Sequence, residues 1–440
     1  MQEIKVAVVS LGCAKNLVDS ETMLGLLNED GFTLTTDPEK AHVIIINTCG
    51  FIDAAKEESI AKILEMAAYK EKNCRLLLAA GCMAQRFADE LLDELPEVDG
   101  LFGTNDVHGA AVAIRRGLAG EKVSFTQGEF AGSDDAPRLL STPSHTAYLK
   151  IAEGCDNRCT YCAIPAIRGP YQSRDGQAVV SEAQSLAAGG VKELNLIAQD
   201  ITLYGTDRTG KAQLPKLLGE LAAIDGVHWI RLLYAYPERL DQRIIEAVAR
   251  EEKVCKYLDL PLQHGSDKIL RRMGRKTTAD KILKLIETLR REVPGIVLRS
   301  SFIAGFPGEG EEEFGEMLAF LKEAQLDRVG FFAYSREEGT PAAAYSNQVP
   351  AEVKEERVRR AVALQSAISE KKQQQLVGKT VTAMVDGSSA QDPSILLARS
   401  YMQAPEVDGY IRIQNSDKKA QKGGLLPVTI TGFDGYDLLA

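Results

Sequence analysis

The sequence predicts an α/β protein of three domains: an N-terminal parallel-sheet domain, a central partial (βα)6 barrel and a C-terminal small β-barrel of OB-like size. In the first two regions, apolar runs alternate with amphipathic stretches, which is typical of strands followed by helices. Residues 375–440 instead contain short alternating strands separated by turn residues. A chain of 440 residues is also too long for one ordinary domain.

The first predicted domain covers residues 1–127. Its strand candidates are 4–10, 43–47 and 75–80, and its helix candidates are 16–30, 53–69, 84–95 and 107–118. Cys13, Cys49 and Cys82 each lie just after one of these strands and just before a helix. Because the carboxyl ends of parallel strands share one edge of a sheet, these cysteines are expected to converge. A nearby helix N-terminus also lowers a thiol pKa, which favours the ligating thiolate.

Residues 128–145 lack periodicity and are rich in Gly, Ser, Asp and Pro, so they are predicted to form a linker. Residues 146–374 are predicted to contain six strand–helix units and a trailing charged helix. The strand candidates are 147–151, 193–197, 229–233, 257–260, 297–303 and 329–332, and the clearest helices are 281–291, 311–324 and 351–376. In such a barrel the functional site is expected at the carboxyl ends of the strands.

Cys155, Cys159 and Cys162 follow the first barrel strand with the spacing Cys-x3-Cys-x2-Cys. This spacing is compact enough to wrap one loop around a metal cluster at the barrel mouth. Zinc usually takes a second cysteine pair or added histidines, and neither lies near this loop in the sequence. Three cysteine ligands leave one iron of an iron–sulfur cluster free to bind another molecule.

The overall charge argues against nucleic acid as a partner that the protein binds by bulk electrostatics. The net charge is −10, and residues 376–440 contain six Lys and Arg against seven Asp and Glu. An acidic chain suits a basic protein partner better. The sequence shows no signal peptide and no apolar run that approaches a membrane span, so a cytoplasmic location is expected. In that compartment, eight cysteines are ligands or free thiols more often than disulfides.

The compact cysteine loop resembles the radical S-adenosylmethionine (SAM) superfamily, whose hallmark is this spacing with an aromatic residue, here Tyr161, before the last cysteine. The resemblance implies a [4Fe–4S] cluster whose open iron binds SAM, and cleavage of SAM to methionine and a 5′-deoxyadenosyl radical. Weaker similarities imply SAM contacts for four more side chains, with a capping or turn role as the alternative for each. These are Glu193 and Gln199 on the second barrel strand and Arg299 and Ser301 on the fifth.

The three domains and six cysteines together resemble the methylthiotransferases over essentially the whole chain. In that family the N-terminal cysteines hold a second [4Fe–4S] cluster whose open iron carries the sulfur, and the C-terminal barrel is of TRAM type. The stretches L-G-C-A-K-N-L-V-D-S-E and N-T-C-G-F-I-D-A-A-K-E-E-S resemble the RimO branch. This implies methylthio insertion at the β-carbon of an aspartate in the twelfth protein of the small ribosomal subunit. A low-potential electron donor and a sulfur donor are then the expected partners. Gln172, where the family usually has a basic residue, departs from the pattern.

Two alternatives remain open at this point. A tRNA-modifying branch of the same family acts on adenosine, and the acidic chain and non-basic terminal barrel argue against it. An iron–sulfur electron carrier or scaffold would need neither a six-unit barrel nor the SAM-type elements. The sequence assigns no catalytic side chain, and Cys74 and Cys255, which match neither cysteine set, are expected to be packing residues.

Overall fold

The computed structural model describes residues 3–128, 132, 134–414 and 421–440. Within these residues the strands form three six-stranded sheets and one two-stranded hairpin. One large sheet falls in each of the three predicted regions, and the predicted fold class is confirmed. Residues 129–131 and 133 of the predicted linker lie outside the described residues. No described helix is both long and apolar enough to cross a membrane.

The first domain is a parallel sheet with the strand order β2-β1-β3-β4-β5-β6. Its strands are β1 Lys5–Ser10, β2 Thr33–Leu34, β3 Val43–Thr48, β4 Leu76–Gly81, β5 Gly100–Phe102 and β6 Val123–Phe125. Its helices are α1 Ala14–Glu29, α2 Asp53–Ala67, α3 Cys82–Arg86, α4 Ala88–Glu94 and α5 Ala110–Leu118. The central strands β3 and β4 are buried along their whole length, because apolar cores cover both faces of the sheet.

Short strands and one broken helix distinguish this domain from its prediction. The strands β2, β5 and β6 have two or three residues each, too few to show an alternating pattern. The single helix predicted at 84–95 is wrong, because Phe87 (φ −132°, ψ 45°) leaves the helical region and separates α3 from α4. Helix α3 also begins earlier than predicted, at Cys82, directly after β4.

The second domain is the predicted partial barrel, an open sheet of parallel strands in the order β7-β10-β11-β12-β13-β14. Its strands are β7 Thr146–Lys150, β8 Ala152–Glu153, β9 Gln172–Ser173, β10 Glu193–Ile197, β11 Trp229–Leu232, β12 Val254–Asp259, β13 Val297–Ala304 and β14 Arg328–Ala333. Its helices are α6 Ile164–Arg168, α7 Gly176–Ala188, α8 Thr206–Thr209, α9 Leu214–Ala222, α10 Gln242–Arg250, α11 Asp267–Arg272, α12 Ala279–Glu292, α13 Glu311–Ala324 and α14 Ala351–Gln374. The short strands β8 and β9 form the hairpin that follows β7.

The third domain is a curled mixed sheet with the strand order β18-β15-β16-β17-β20-β19. Its strands are β15 Thr380–Ser388, β16 Ile395–Arg399, β17 Ile411–Gln414, β18 Leu425–Thr429, β19 Gly432–Asp434 and β20 Asp437–Leu439. Along the barrel strands, Leu149 and Leu196 pack against the helices, whereas the alternating residues Tyr148 and Ile197 pack with the third domain. The third domain therefore covers the inner face of the open barrel.

A buried network of ion pairs holds the third domain on the barrel. Glu193, at the start of β10, is paired with Arg231 of β11 (2.9 Å) and with Arg399 of β16 (2.7 Å). Arg399 is also paired with Asp386 (2.6 Å), which contacts His145 (2.8 Å). Burial raises the pKa of Glu193, but the opposing charges of Arg399 and Arg231 outweigh burial and lower that pKa to about 2.

Replacing Glu193 by glutamine is expected to destabilise the docked third domain by about 3–5 kcal/mol, because two buried arginines lose their counter-charge. The folded-state pKa of about 2 lies below the ordinary value of 4.5. The ionised carboxylate therefore stabilises the fold fully above pH 4.5, and this contribution is lost as the pH falls toward 2. Urea unfolding of wild type and variant over this pH range tests the account. The difference between the two proteins should shrink below pH 4.5, and a constant difference would contradict the ion-pair explanation.

Candidate metal centre at the domain interface

Cys155, Cys159 and Cys162 lie in the loop between β8 and α6, at the carboxyl end of the barrel strands. The loop begins with Gly154, whose φ of +74° favours glycine. A Cβ at this position would lie 2.0 Å from the carbonyl oxygen of Pro170. The close approach of these two backbone segments fixes the position of Cys155, the first cysteine of the loop.

Side chains at the ends of neighbouring strands hold the rest of this loop. Asn157 donates from Nδ2 to Asp200, just after β10 (3.1 Å). Cys159 Sγ lies 3.7 Å from the hydroxyl oxygen of Tyr236, which follows β11. Burial raises the pKa of Cys162 to about 12, so this thiol needs a neighbouring positive charge such as a metal to ionise.

The other three cysteines also meet at one sheet edge, as predicted from their positions after strands. Cys13 precedes α1, Cys49 follows β3 and Cys82 opens α3, and the strands β1, β3 and β4 before them are neighbours. Gly12 has a φ of +86°, and a Cβ there would lie 2.8 Å from Cys49 Cβ and 3.2 Å from its Sγ. Burial raises the pKa of Cys82 to about 11; nearby Arg168 opposes this rise, while Cys13 and Cys49 add to it.

Arg168 connects the barrel loop to the first domain. It ends α6, is 3% exposed, and donates to Asn16 Oδ1 (2.5 Å) and to Cys82 Sγ (3.5 Å). It is also paired with Asp19 of α1 (3.0 Å) and with Glu153 of β8 (2.9 Å). Apolar contacts at the same place involve Cys82, Ala163 and Ile167. One side chain that follows the compact cysteine set therefore touches a sulfur of the other set.

Lys15 lies between the two cysteine sets. It is the second residue of α1, and its ammonium group stands 3.0 Å from the centre of the Tyr234 ring, beyond the end of β11. Burial lowers the pKa of Lys15 to about 8, and Cys13 partly opposes this fall. Lys15 is also the cation that opposes the raised pKa of Cys162. The structure thus brings the two cysteine sets together where the first domain meets the barrel.

Further ion pairs hold the first domain over the barrel mouth. Arg86 of α3 is paired with Glu337 (2.8 Å), which follows β14 and is 2% exposed. Arg138 is paired with Glu21 of α1 (2.5 Å), whose side chain is completely buried. Arg138 belongs to the predicted linker, so the described part of that segment is packed against α1.

The structure separates the five side chains that were predicted to contact SAM. Tyr161 lies in the cysteine loop and packs with the apolar cluster around Phe306. Gln199, just after β10, donates to Glu153 (2.7 Å), and its buried Oε1 has no hydrogen-bond partner. Glu193 does not lie with the cysteines, because it occupies the opposite end of β10 and both of its carboxylate oxygens are bound by arginines.

The remaining two predicted side chains lie on β13. Arg299 is paired with Asp259 at the end of β12 (2.9 Å) and with Asp408 of the third domain (3.3 Å). Ser301 is half-buried on the same strand. Glu193 is thus paired with guanidinium groups, and Arg299 is paired with carboxylates. One partner of each comes from the third domain, because that domain covers the inner face of the strands that carry them.

Sequence reasoning missed Lys15, Asn16, Arg168 and Tyr234, although all four lie at this interface. The available signal for the first three was a charged or amide side chain within or just after a cysteine motif. Tyr234 gives no such signal, since only the backbone shows its uncommon φ of +63°.

The donor set fits iron–sulfur clusters. All eight cysteines are free thiols, and Cys74 and Cys255 are buried in apolar cores, as expected. In the part of the chain that the structure describes, no three Cys, His, Asp or Glu side chains approach closely enough to share a single metal ion. A cluster instead binds its thiolates at separate irons, and cysteine sulfur is the usual donor for it.

Three family models match the chain in succession. Residues 5–103 match Uncharacterized protein family UPF0004, residues 149–321 match the Radical SAM superfamily, and residues 377–440 match the TRAM domain. The parallel-stranded barrel, the cysteine loop at its mouth and the match to the Radical SAM superfamily together define a radical SAM enzyme.

The chain is 50% identical to ribosomal protein uS12 methylthiotransferase RimO of Heliobacterium modesticaldum, over 99% of this chain and 94% of that protein. It is 48% identical to the protein of the same name from Acetivibrio thermocellus, over 99% and 97%. The chain therefore belongs to the RimO family of methylthiotransferases. Its fold also resembles that of the solved radical SAM methyltransferase TsrM from Kitasatospora setae, with a TM-score of 0.60, 16% identity, and coverage of 84% of this chain and 89% of that one.

Proposed function

We propose that this protein inserts a methylthio group at the β-carbon of an aspartate in ribosomal protein uS12, using SAM and two [4Fe–4S] clusters. The observation that carries the proposal is that two sets of three cysteines, from different domains, lie where those domains meet, with Arg168, just after one set, in contact with Cys82 of the other (3.5 Å). Membership of the RimO family supports the same reaction, since relatives with 50% and 48% sequence identity are named ribosomal protein uS12 methylthiotransferase. The target C–H bond is unactivated, so acid–base and nucleophilic side chains alone cannot break it.

Each cysteine set has one task in this proposal. Cys155, Cys159 and Cys162 hold the cluster that binds SAM, and Cys13, Cys49 and Cys82 hold the cluster that carries sulfur. When bound, these groups supply the one-electron chemistry that removes a hydrogen atom from carbon and the sulfur that replaces it. The chain holds the two loops against each other through the ion pairs of Arg168 with Asp19 and Glu153.

Arg168 is the side chain that holds the two sets in register. It reaches from the compact loop to Cys82 and Asn16, and its charge is balanced by Asp19 and Glu153. Because the guanidinium is planar and rigid, bonds in several directions fix the orientation of α6 relative to the first domain.

Gln199 is the predicted SAM contact that the geometry favours most. Its Oε1 is a buried acceptor without a partner beside the barrel mouth, and an ammonium group of a ligand would satisfy it. Tyr161 and Ser301 are proposed as further contacts. Glu193 and Arg299 are left out of this proposed set, because their charges are already paired.

The proposed setting is the cytoplasm, with a low-potential electron donor and a sulfur donor as partners. The net charge of −10 suits docking to a basic ribosomal protein and gives no footprint for bulk nucleic-acid binding.

Mass spectrometry of uS12 and of bulk tRNA, from cells with and without this gene, tests the proposal. We expect a methylthio group on one uS12 aspartate only when the gene is present, and no change in tRNA. A methylthio group that appears in tRNA adenosine would show that the tRNA branch of the family is the correct one. If the reduced and reconstituted protein does not turn over SAM at all, an electron-carrier role replaces both.

A further inference from the structure

The hydroxyl group of Tyr236 lies beside a sulfur of the compact cysteine loop. Its oxygen is 3.7 Å from Cys159 Sγ, and the two groups form a hydrogen bond that either could donate. Once Cys159 binds iron it is a thiolate without a proton, so the bond then runs from the Tyr236 O–H to the sulfur. Tyr236 follows β11, whereas Cys159 lies between β8 and α6, so this contact joins two separate elements at the barrel mouth.

Two guanidinium groups hold the Tyr236 ring in place. The Arg275 guanidinium lies 4.0 Å from the centre of the ring, and the Arg239 guanidinium lies 4.9 Å from it. Arg275 donates two hydrogen bonds of 2.9 Å to Glu238, and Arg239 is paired with Asp200 (2.9 Å). Because both cations have carboxylate partners of their own, the position of the ring does not depend on the sulfur that its hydroxyl touches.

The backbone on both sides of Cys159 is held by the segment that follows α11. On one side, the backbone N–H of Thr160 donates to the carbonyl oxygen of Met273 (3.0 Å). On the other side, Gly274 (φ +75°) approaches Arg158 so closely that a Cβ would lie 2.8 Å from its carbonyl oxygen. The sulfur and the hydroxyl group are therefore brought together by two supports, neither of which involves a cysteine side chain.

We propose that Tyr236 donates a hydrogen bond to the cluster-bound Cys159 thiolate and thereby raises the reduction potential of the SAM-binding cluster. This inference rests on the proposed function, which assigns Cys159 and its two neighbours in the loop to that cluster. Reduction adds one electron from the low-potential donor and makes the irons and thiolates more negative. A hydrogen bond donated to a thiolate sulfur stabilises this more negative form. Tyr236 is a positioning residue, because it acts on the cluster through Cys159.

The test is a redox titration of Tyr236→Phe, which removes the hydroxyl group and keeps the ring between the two arginines. The full-length protein with alanine at Cys13, Cys49 and Cys82 retains only the compact set. After iron–sulfur reconstitution, its cluster is titrated without SAM and followed by electron paramagnetic resonance. We expect Tyr236→Phe to lower the ratio of reduced to oxidised cluster at a fixed potential about tenfold, which for one electron corresponds to a potential lower by about 59 mV.

Tyr204→Phe is the matched control. It removes a buried hydroxyl group that donates to the carbonyl oxygen of Arg174 (3.3 Å) and not to sulfur, so the potential should stay at the wild-type value. In the intact enzyme, Tyr236→Phe should form 5′-deoxyadenosine more slowly when the electron donor is limiting. Excess titanium(III) citrate, a strong reductant, should restore the rate, because the variant lacks only driving force for the electron transfer.

An unchanged potential in Tyr236→Phe would overturn the inference, and so would an equal shift in Tyr204→Phe. A loss of SAM cleavage that titanium(III) citrate does not restore would assign Tyr236 a structural role instead. If the triple-alanine protein takes up no iron, the intact enzyme is titrated, and only one of its two cluster potentials should move. Failure of the proposed function gives a different result, since the triple-alanine protein would then hold a cluster that does not cleave SAM, whatever its potential.

Discussion

Alanine at Cys155, Cys159 or Cys162 is expected to abolish both SAM cleavage and methylthio transfer. Alanine at Cys13, Cys49 or Cys82 is expected to abolish transfer but to leave formation of 5′-deoxyadenosine. The reason is that the two sets lie in separate loops. The first set lies in the loop after β8, and the second lies at the carboxyl edge of the first sheet. Chromatography of 5′-deoxyadenosine and mass spectrometry of the uS12 peptide measure the two outcomes in one reaction.

Buried Cys74 and Cys255 supply the matched controls for this experiment. Each is a cysteine inside an apolar core of the same domains, and its replacement by alanine removes a thiol without touching either set. Both control variants should retain iron content and both reactions. Equal loss of SAM cleavage from the two sets would refute the division of labour between them.

Replacing Arg168 by methionine is the second change with a large expected effect. The variant leaves Asp19 and Glu153 with Lys150 as their remaining cation, and removes the bonds to Asn16 and Cys82. Removing one partner of a buried ion pair typically costs about 3–5 kcal/mol, so the contact between first domain and barrel should weaken by that order. We expect methylthio transfer to fall much more than SAM cleavage, because only transfer requires the two sets to stay in register.

Urea unfolding and limited proteolysis between the first two domains measure the stability effect of this change. Arg115→Met is the matched control, since Arg115 is 55% exposed and its pair with Asp30 lies on the surface of the first domain. The control should unfold as wild type does. If Arg168→Met keeps wild-type stability, or loses SAM cleavage and transfer in equal proportion, then Arg168 does not hold the two sets together.

The sequence predicted the three-domain fold and the meeting of Cys13, Cys49 and Cys82, because both follow from local pattern and from the shared edge of a parallel sheet. It did not predict the partners across domains. Lys15 and Arg168 become important only when α1 and α6 lie against each other, and no periodicity encodes that contact. Glu193 and Arg299 were predicted as SAM contacts because they stand on the expected strands. Strand position does not reveal that a third domain already pairs both charges.

The network around Glu193 has a consequence for the modularity of the chain. Three family models describe three modules, yet the charges of two of them are balanced only together: Glu193 and Arg231 belong to one, and Arg399 to another. Trimming the last module away would open the interior of the barrel to water and leave one buried carboxylate with half its counter-charge. The small terminal sheet therefore forms part of the inner wall of the barrel, and a substitution of Arg399 on that sheet would change the charge balance around Glu193 in the barrel.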